Sequence, residues 1–480
     1  MSQKSFYITT TLPYVNAPLH IGYALESVRA DVIARMKTLS GDDVFFNIGT
    51  DEHGTKIFQT AESMGLSPQD FVDQTVATFK EQLKGFGLSN NLHFIRTTDK
   101  HHKAAAQRFW EIVRDNGYIY KDTYRSKYCV GCEEGKTDSE LVDGYCPLHP
   151  GKELELIDEE NYFFKYSHFT DKMLAFYEQH PDFVVPSFRF NEIKEFVKRG
   201  LQDFPISRKK EKMPWGIPVP GDDSQVMYVW FDALTNYIST LGWPEDLTSF
   251  EKYWTLGTPV QYCGKDNLRF QAGMWQAMLM AAGLPNSHQI IINGFVVGEG
   301  GIRMSKTLGN VVDPRDIAQE FGTDALRLFL VKELSPFEDS PFTVARFKDF
   351  YNSALANGLG NLVSRAMNMI VAYEVDISSV SFPEFSDIVH PAYEVFELNK
   401  VADAIWGEIA ELDKYIADQA PFKKVKVDQV GAHDDLRHVV QGLARIAVSL
   451  QPIMPETSAK IIELIKTKQK PEAPLFLRKE

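Results

Sequence analysis

Cysteine is scarce in this chain, which has four among 480 residues. Three of the four, Cys129, Cys132 and Cys146, lie close together. So few cysteines in so long a chain argue against a fold held together by disulfide bonds. Their clustering fits metal binding in a reducing compartment better. Cys263 stands alone in an apolar run and is predicted to be a core residue.

An excess of positive charge is also missing. The 51 lysines and arginines are outnumbered by 65 acidic residues, which gives a formal net charge of −14. This balance excludes a general cationic binder of nucleic acid, so any RNA must meet local basic patches. Two lysine clusters are candidates for such patches, although a solvated surface is the simpler interpretation of each: Lys209, Lys210 and Lys212, and Lys423, Lys424 and Lys426.

Long hydrophobic runs are absent as well. The longest apolar stretches, such as Met274 to Leu284, are too short and too interrupted to span a bilayer. The first residues show no basic flank followed by an apolar segment, so no signal peptide is predicted. The 44% hydrophobic and 24% charged fractions are those of a soluble globular protein. A chain of 480 residues is too long for one compact core, so we expect three or four packed units. We also expect a cytoplasmic protein that does not interact with a membrane.

The periodicity that is present predicts an α/β fold. A strand pattern over Phe6 to Leu12, a helical pattern from Gly22 to Gly41 and an apolar run from Val44 to Ile48 form one βαβ unit. Strand patterns return at Gln225 to Phe231, Val260 to Gly264 and Gln289 to Val297. We predict a doubly wound parallel sheet of the Rossmann type in two halves, an insertion between them and a C-terminal helical bundle, with bounds at 1–116, 117–225, 226–339 and 340–480.

Two stretches have the composition of a nucleotide site. His20-Ile21-Gly22-Tyr23 opens the first predicted helix, where free backbone N–H groups attract phosphates. His20 can donate hydrogen bonds to phosphate oxygens and Gly22 allows close approach, although a histidine that merely caps the helix would look the same. Far downstream, glycines at 298, 300 and 301 precede a loop that carries two cations, Arg303 and Lys306.

The cysteine cluster has the spacing of a metal site. Cys129-x2-Cys132-x13-Cys146-x2-His149 places three thiols and one imidazole in two knuckles. These ligands suit one tetrahedral zinc ion, and because they fill all four positions the zinc would be structural rather than catalytic. The alternative is a redox Cys-x-x-Cys beside an unrelated cysteine.

These motifs resemble those of a known family. His20 to Tyr23 and Arg303-Met304-Ser305-Lys306-Thr307 resemble the HIGH and KMSKS signatures of class I aminoacyl-tRNA synthetases. Between them, three further stretches resemble the methionyl-tRNA synthetases, at Gly49 to Gly54, Val229 to Ala233 and Gly264 to Asp266. The resemblance covers nearly the whole chain. It implies a ligase that activates L-methionine with ATP and Mg²⁺ to methionyl-adenylate and pyrophosphate, then charges initiator and elongator methionine tRNA.

The resemblance also implies roles for single residues. The catalytic residues would be His20, Arg208, Arg303 and Lys306, and the ATP contacts would include His20, Gly22, Tyr23, Lys265, Asp266 and Lys306. The methionine pocket would be formed by Leu12, Tyr14, Asp51, Trp230, Ala233, Leu234, Tyr237, Asn267 and Gln271, although its aromatic members would otherwise pass for ordinary core residues. The anticodon would be met by Asn361, Arg365 and Phe422, and the zinc knuckle would support the fold near the acceptor end of the tRNA.

The chain departs from the family pattern at several of these positions. Tyr23 replaces the second histidine of its signature and removes a cation, whereas Arg303 and Thr307 keep a cation and a hydroxyl. In the pocket, Leu234, Asn267 and Gln271 stand where proline, isoleucine and histidine are usual, and Phe422 stands for a tryptophan. We therefore expect altered hydrogen bonding on that side of the methionine pocket.

Other functions fit less well. Isoleucyl, valyl and leucyl enzymes resemble proteins with a far larger editing insertion, and cysteinyl enzymes disperse their zinc ligands along the chain. A synthetase-like RNA-binding protein that has lost activation is the alternative from another class. The sequence carries no appended dimerisation domain after the bundle, so we expect a monomer whose partners are methionine tRNA, methionine and ATP.

Overall fold

The structure is a computed structural model that describes residues 3–16, 18–132, 134–136, 140–302, 304 and 312–480. Its first part alternates strands and helices, as the βαβ pattern predicts. The elements in order are β1 (Ser5–Thr10), α1 (Ile21–Leu39), β2 (Asp43–Thr50), α2 (Thr55–Ser63), α3 (Pro68–Lys84), β3 (His93–Arg96) and α4 (Lys100–Asp115).

The next part is built mainly of strands, two of them ten or more residues long. Aromatic and β-branched residues alternate with polar ones here, which suits strands with one face covered. The elements are β4 (Ile119–Cys129), β5 (Glu134–Lys136), β6 (Glu155–Phe164), α5 (Thr170–Gln179), β7 (Val184–Val185), α6 (Ser187–Lys198), β8 (Phe204–Pro205), β9 (Ser207–Lys209), β10 (Pro218–Val219) and β11 (Asp222–Met227).

The chain then returns to alternating elements and ends in helices. The alternating part comprises α7 (Val229–Leu234), α8 (Asn236–Ser239), α9 (Leu247–Phe250), β12 (Thr258–Gly264), α10 (Trp275–Ala282), β13 (Gln289–Asn293), β14 (Val296–Val297), α11 (Pro314–Phe321), α12 (Thr323–Lys332) and β15 (Ser340–Pro341). The helical part comprises α13 (Val344–Phe350), α14 (Gly360–Ala372), α15 (Leu398–Gln419), α16 (Pro421–Lys424), α17 (Gln429–Leu450) and α18 (Pro455–Thr467). In this bundle α17 packs against α14, α15 and α18.

One six-stranded parallel sheet organises the first two thirds of the chain. Its strand order is β3-β2-β1-β12-β13-β7, and every pairing is parallel. Its central strands are almost wholly buried, as expected of a parallel sheet covered on both faces by helices. The predicted doubly wound fold is therefore confirmed. The strand order reverses between β1 and β12, and such a switch point leaves a crevice at the carboxyl ends of the two strands.

Two segments differ from the sequence prediction. Gln225 to Phe231 was expected to be a strand of the parallel sheet, but β11 ends at Met227 and pairs antiparallel with β9 and β10. The next residues form helix α7 because Tyr228 donates its backbone N–H to Ile206 and the chain then turns. Conversely, β7 lies in the predicted insertion yet joins the central sheet by pairing with β13.

A continuous apolar core links the sheet to the bundle. It runs from β1 and α1 through α12 to α14, α15 and α17. A second core, rich in aromatic side chains, lies on the other face of the sheet beneath α4, α5 and α10. In the part of the chain that the structure describes, no helix combines the length and the apolar character that crossing a membrane requires.

Candidate active site

Two cavities open at the switch point of the sheet. The first has a volume of about 370 Å³ and lies against the start of α1, and the second has a volume of about 470 Å³ and extends toward the cysteine cluster. They share a wall made of Thr11, Tyr14, Asn16, Asp266 and Asn267. Two different small molecules could therefore lie side by side with their ends in contact.

His20 and Gly22 line the first cavity. The Nδ1 atom of His20 accepts a hydrogen bond of 3.1 Å from the backbone N–H of Gly22, so the ring caps α1 at the edge of the first cavity. A Cβ atom on Gly22 would lie only 2.9 Å from the His20 ring, which explains the need for glycine. His20 therefore both caps α1 and lines the first cavity.

The other predicted ATP contacts differ in their placement. Tyr23 lines the first cavity and is 8% exposed, and burial raises the pKa of its phenol, so the position holds a neutral group. Asp266, a predicted ATP contact, lines both cavities. Lys265 is not among the lining residues, because its Nζ pairs with Asp339 at 2.7 Å and lies 4.5 Å from the centre of the Phe295 ring.

Glu26 is a cavity residue that the sequence analysis missed. It follows Gly22 by one helical turn, lines the first cavity, and accepts a 2.6 Å hydrogen bond from the backbone N–H of Thr11. Burial raises the pKa of its carboxyl to about 8, and the negative charge of Asp266 acts in the same direction. A carboxyl facing inward from an apolar helix face was the available signal.

The second cavity brings together every residue predicted for the methionine pocket. Its walls include Leu12, Tyr14, Asp51, Trp230, Ala233, Leu234, Tyr237, Asn267 and Gln271. The backbone of residues 13–15 is bonded to that of Asp51, with Val15 N–H donating to Asp51 and Asp51 N–H donating to Pro13. This pairing places Tyr14 and Asp51 side by side in the cavity wall, where Asp51 is 9% exposed.

The aromatic wall of this cavity is reinforced by Phe270. Its ring stacks on Trp230 with centroids 3.7 Å apart and planes 4° from parallel. Phe270 also lines the cavity, although the sequence analysis did not select it. Stacked rings present a flat, polarizable surface, which suits a flexible apolar ligand.

Gln271 takes part in a chain of buried amides and hydroxyls. Its amide accepts from Gln261 at 2.6 Å and donates to the Tyr237 hydroxyl, and Gln261 accepts from Ser287 at 2.6 Å. Burial raises the pKa of Tyr237 well above its usual value, so its hydroxyl stays neutral. Both polar atoms of the Gln271 amide thus have a partner within the protein. Gln261 lies ten residues away on β12, and nothing in the sequence connects the two.

A buried carboxylate fixes helix α7 beneath the pocket. Asp232 lies 2.7 Å from Nδ1 of His53 and 2.8 Å from Nε2 of His102, and His102 in turn contacts the Ser239 hydroxyl at 2.9 Å. Burial alone would raise the pKa of Asp232, but the two histidines hold it at about 2. Since α7 carries Trp230 and His53 follows Asp51 by two residues, this contact sets the two sides of the pocket relative to each other.

Arg208 lies apart from both cavities. It is 5% exposed, its Nε is 2.8 Å from Glu159, and its guanidinium lies 4.4 Å from the centre of the Tyr128 ring. It borders a separate cavity of about 120 Å³ that shares only Phe270 with the second cavity. The structure therefore does not bring Arg208 together with His20.

The cysteine cluster forms a compact set of metal ligands. The ligand atoms of Cys129, Cys132, Cys146 and His149 all lie within 4.8 Å of one another. Nδ1 of His149 is 3.6 Å from Cys129 Sγ and 3.3 Å from Cys132 Sγ, and the cysteines are free thiols. A Cβ atom on Gly131 would meet the His149 ring at 2.5 Å, so the knuckle requires glycine there.

The same cluster borders the second cavity. Gly131, Cys132, Leu148 and His149 line the second cavity, and Lys56 donates its Nζ hydrogen bond to the carbonyl oxygen of Gly131. The cysteine cluster therefore forms part of the wall of the second cavity.

Two predicted catalytic cations cannot be placed. Arg303 and Lys306, together with Ser305 and Thr307, lie outside the described residues. Of that signature, Met304 is described, and it lines the first cavity. Gly300 and Gly301 precede it with φ of 71° and 79°, a conformation that glycine adopts without strain.

The predicted anticodon residues lie on the bundle surface. Asn361 is exposed on α14, and Arg365 one turn later donates a 2.6 Å hydrogen bond to Asp413 of α15. Phe422 follows the end of α15 and is 40% exposed, which argues against a core role. Since Asp413 lies in the last two turns of α15, the three predicted residues share one end of the bundle.

Comparisons with known proteins agree with this arrangement. The family model of the class I tRNA synthetases (M) matches residues 6–155 and 149–367. The methionine–tRNA ligase of Nostoc sp. is 39% identical over 96% of this chain and 90% of its own length. The methionine–tRNA ligase of Clostridium acetobutylicum is 40% identical over 96% of this chain and 73% of its own length.

A solved structure agrees as well. It is that of Mycobacterium tuberculosis methionyl-tRNA synthetase in complex with methionyl-adenylate, which superposes with a TM-score of 0.89 at 34% identity, over 96% of this chain and 94% of that one. The chain therefore belongs to the methionyl-tRNA synthetases, a family of class I aminoacyl-tRNA synthetases.

Proposed function

We propose that the first cavity takes ATP and the second takes methionine. The chain is a methionine–tRNA ligase, which activates methionine with ATP and then charges tRNA. In activation the methionine carboxylate attacks the α-phosphorus of ATP, an oxygen–phosphorus bond forms, and pyrophosphate leaves. The observation that carries the assignment is the shared wall at Tyr14 and Asp266, because it lets the carboxylate of one substrate meet the α-phosphate of the other.

The proposed ATP site uses the start of α1. The backbone N–H groups and partial positive charge of a helix N-terminus favour phosphate, and the Nε2 edge of His20 can donate to a phosphate oxygen. By family resemblance Arg303 and Lys306 supply the positive charge that meets the pyrophosphate as it leaves, and Mg²⁺ accompanies ATP. The resemblance also assigns Arg208 and Lys265 to the ATP step, although neither lines the first cavity. One such donor is typically worth about 3 to 4 kcal/mol of barrier.

The proposed methionine site separates the two ends of its ligand. The Asp51 carboxylate in the cavity wall takes the ammonium group, while Trp230, Leu234 and Tyr237 enclose the thioether. A thioether offers no strong hydrogen bond, so shape and contacts between sulfur and the rings must discriminate. Because Gln271 already uses its amide on Gln261 and Tyr237, it keeps this wall rigid rather than binding the ligand.

We further propose that the cysteine cluster holds one structural zinc ion. Tetrahedral Zn–S bonds of about 2.3 Å place sulfur atoms about 3.8 Å apart, close to the 3.5 Å between Cys132 and Cys146. When bound, zinc would supply the cross-link that fixes this wall of the methionine pocket, with all four ligand positions filled.

The remaining parts of the proposal concern tRNA and the whole chain. Asn361, Arg365 and Phe422 read the anticodon of methionine tRNA, while residues 117–225 lie toward its acceptor end. The divisions near residues 117, 226 and 340, a monomeric state and a cytoplasmic location complete the proposal. The alternative of an RNA-binding protein without activation has no support in the cavities, which keep every predicted pocket residue together.

Exchange of pyrophosphate into ATP tests this proposal on the purified chain. Exchange should depend on methionine, and Asp51→Asn should raise the KM for methionine at least tenfold with little change in the KM for ATP. An equal change in both constants would contradict the assignment of the two cavities.

A further inference from the structure

Two arginines with no exposed surface fasten helix α1 to helix α12. Arg29 of α1 reaches α12 and the turn after it, and Arg327 of α12 reaches back to Asp31 of α1. Burial lowers the pKa of both guanidinium groups. Burying a charge is costly unless hydrogen bonds satisfy it, and both guanidinium groups have such bonds.

The guanidinium group of Arg29 donates hydrogen bonds to four backbone carbonyl groups. Its Nε donates to Leu330 at 3.0 Å, its Nη2 to Leu334 at 2.6 Å, and its Nη1 to Ser335 and Pro336 at 3.0 and 3.2 Å. These carbonyls belong to the end of α12 and the turn that follows. A single side chain thus defines the path of residues 334–336, where the helix can no longer do so.

That turn is continuous with one wall of the first cavity. Asp339, three residues further on, accepts a 2.9 Å hydrogen bond from the backbone N–H of Phe295, and β15 then pairs with β14. The contact is so close that a Cβ atom on Gly294 would overlap the carbonyl group of Glu338. Residues 294–296 line the first cavity, so the position of the turn decides the position of this wall.

The start of α1 lines the same cavity. Arg29 lies nine residues after His20, which is about 14 Å along the helix. One helix therefore carries His20 at its beginning and, through Arg29, is bonded to the turn that leads to residues 294–296. Arg327 offers a contrast, because its other partners are carbonyls of Phe86 and Gly87, which follow α3, and of Pro452 and Ile453 in the bundle, and none of these residues lines the first cavity.

We propose that Arg29 is a positioning residue for the ATP step, and that it sets the spacing between His20 and the wall of residues 294–296. This inference rests on the proposed assignment of the first cavity to ATP. It predicts that loss of the planar fork of donors impairs the handling of ATP and leaves the methionine pocket intact. Lysine at this position keeps the charge but cannot reach four carbonyls.

The test compares Arg29→Lys with Arg327→Lys, a matched change at an equally buried arginine on the same pair of helices. Both variants should melt at a lower temperature than the wild type. At a temperature well below both melting points, Arg29→Lys should raise the KM for ATP or lower kcat for pyrophosphate exchange by at least tenfold. Methionine affinity, followed by tryptophan fluorescence, should stay within twofold in both variants, and Arg327→Lys should keep exchange within twofold.

Equal exchange activity in the two arginine variants, whether normal or reduced, would overturn the proposal, since stability alone would then explain both. If Arg29→Lys does not fold, Ser340→Ala replaces it, because Ser340 accepts the 2.8 Å hydrogen bond from Ser335 that closes the same turn. That variant should lose severalfold in exchange, and unchanged activity would overturn the inference.

His20→Asn provides the separate test of the cavity assignment. A normal KM for ATP and normal kcat in this variant would show that the first cavity does not take ATP. A defect in His20→Asn together with normal exchange in Arg29→Lys would remove only Arg29.

Discussion

At the scale of single residues, the first cavity has two acidic side chains, which is unexpected for a site proposed to bind the negatively charged ATP. Glu26 and Asp266 both line it, and ATP would add its phosphates nearby. The pKa of about 8 at Glu26 resolves this conflict near neutral pH, because the carboxyl then keeps its proton and remains uncharged. The other titratable groups close to Glu26 are the buried side chains of Tyr23, Tyr237, Tyr262 and Cys263.

This raised pKa predicts a pH dependence that Glu26→Gln should remove. In the folded protein Glu26 loses its proton only as the pH rises through about 8, whereas an unfolded glutamate loses it near 4.5. Ionisation in the fold is therefore unfavourable, and the wild type should lose stability as the pH rises from 4.5 to 8. The KM for ATP should also rise between pH 7 and pH 9.

Glu26→Gln imitates the neutral form of the side chain. The stability and the KM for ATP should therefore both change less with pH in the variant than in the wild type. Melting temperatures and exchange kinetics at pH 6, 7, 8 and 9 provide the measurement. Parallel profiles for variant and wild type would assign the pH dependence to another group.

The residues that sequence could not supply are mostly buried polar ones. The pattern of Val28, Val32 and Met36 predicts helix α1 correctly, and the HIGH-like signature places His20 at its start. However, the roles of Arg29 and Asp31 depend on partners about three hundred residues away. Gln261 and Phe270 were missed for the same reason, since each acts on a neighbour that the fold, not the local pattern, places beside it.

At the scale of elements, short strands and helices near the pocket were the least predictable. Alternation of Val226, Tyr228 and Trp230 imitates a strand, yet the chain turns at Tyr228 and forms α7. The contact of Asp232 with His53 and His102 stabilises that helix from below, and such a tertiary contact overrides local preference. The long elements, by contrast, followed their periodicity closely.

The metal knuckle is the element whose role can be tested by removing its ligand. Elemental analysis should find about one zinc per chain, because the four ligands leave no gap in the coordination sphere. Cys132→Ala together with Cys146→Ala should abolish zinc binding and raise the KM for methionine, since Cys132 lines the methionine cavity.

Cys263→Ala is the matched control for this change. It removes a buried thiol that lies outside the cluster, and zinc content and the KM for methionine should both remain normal. Full activity of the double variant without zinc would refute a structural metal, which can supply on the order of 10 kcal/mol to local folding.

Phe422 tests the end of the bundle. Its exposed ring lies beside Lys423 and can stack on a base, which is worth about 1 to 3 kcal/mol. Phe422→Ala should therefore reduce charging of methionine tRNA ten- to hundredfold while pyrophosphate exchange and the melting temperature change little. Phe422→Trp should preserve or improve charging.

Val427→Ala controls for exposed apolar surface in the same lysine-rich turn, because Val427 is 88% exposed but offers no flat ring. Its charging activity should be normal. A large loss of thermal stability in Phe422→Ala, with equal losses in exchange and charging, would instead indicate a packing role.

At the scale of the whole molecule, the fold joins the proposed substrate site to the proposed anticodon-reading surface. An apolar core runs from β1 through α12 into the bundle, and Arg327 of α12 bonds to Asp31 of α1. The net charge of −14 leaves only local basic patches for RNA, and Lys423, Lys424 and Lys426 beside Phe422 are the candidate at this surface, although Lys424 pairs with Asp435. Such a patch would let an acidic chain act on tRNA.

The most direct test of the central claim is the amino-acid dependence of pyrophosphate exchange by the purified chain. Methionine should support exchange with a kcat/KM at least about a hundredfold above that of isoleucine, valine, leucine or cysteine, because the rigid aromatic pocket fits an unbranched thioether. The same preparation should then charge methionine tRNA. Exchange with another amino acid at equal efficiency, or tRNA binding without any exchange, would contradict the account.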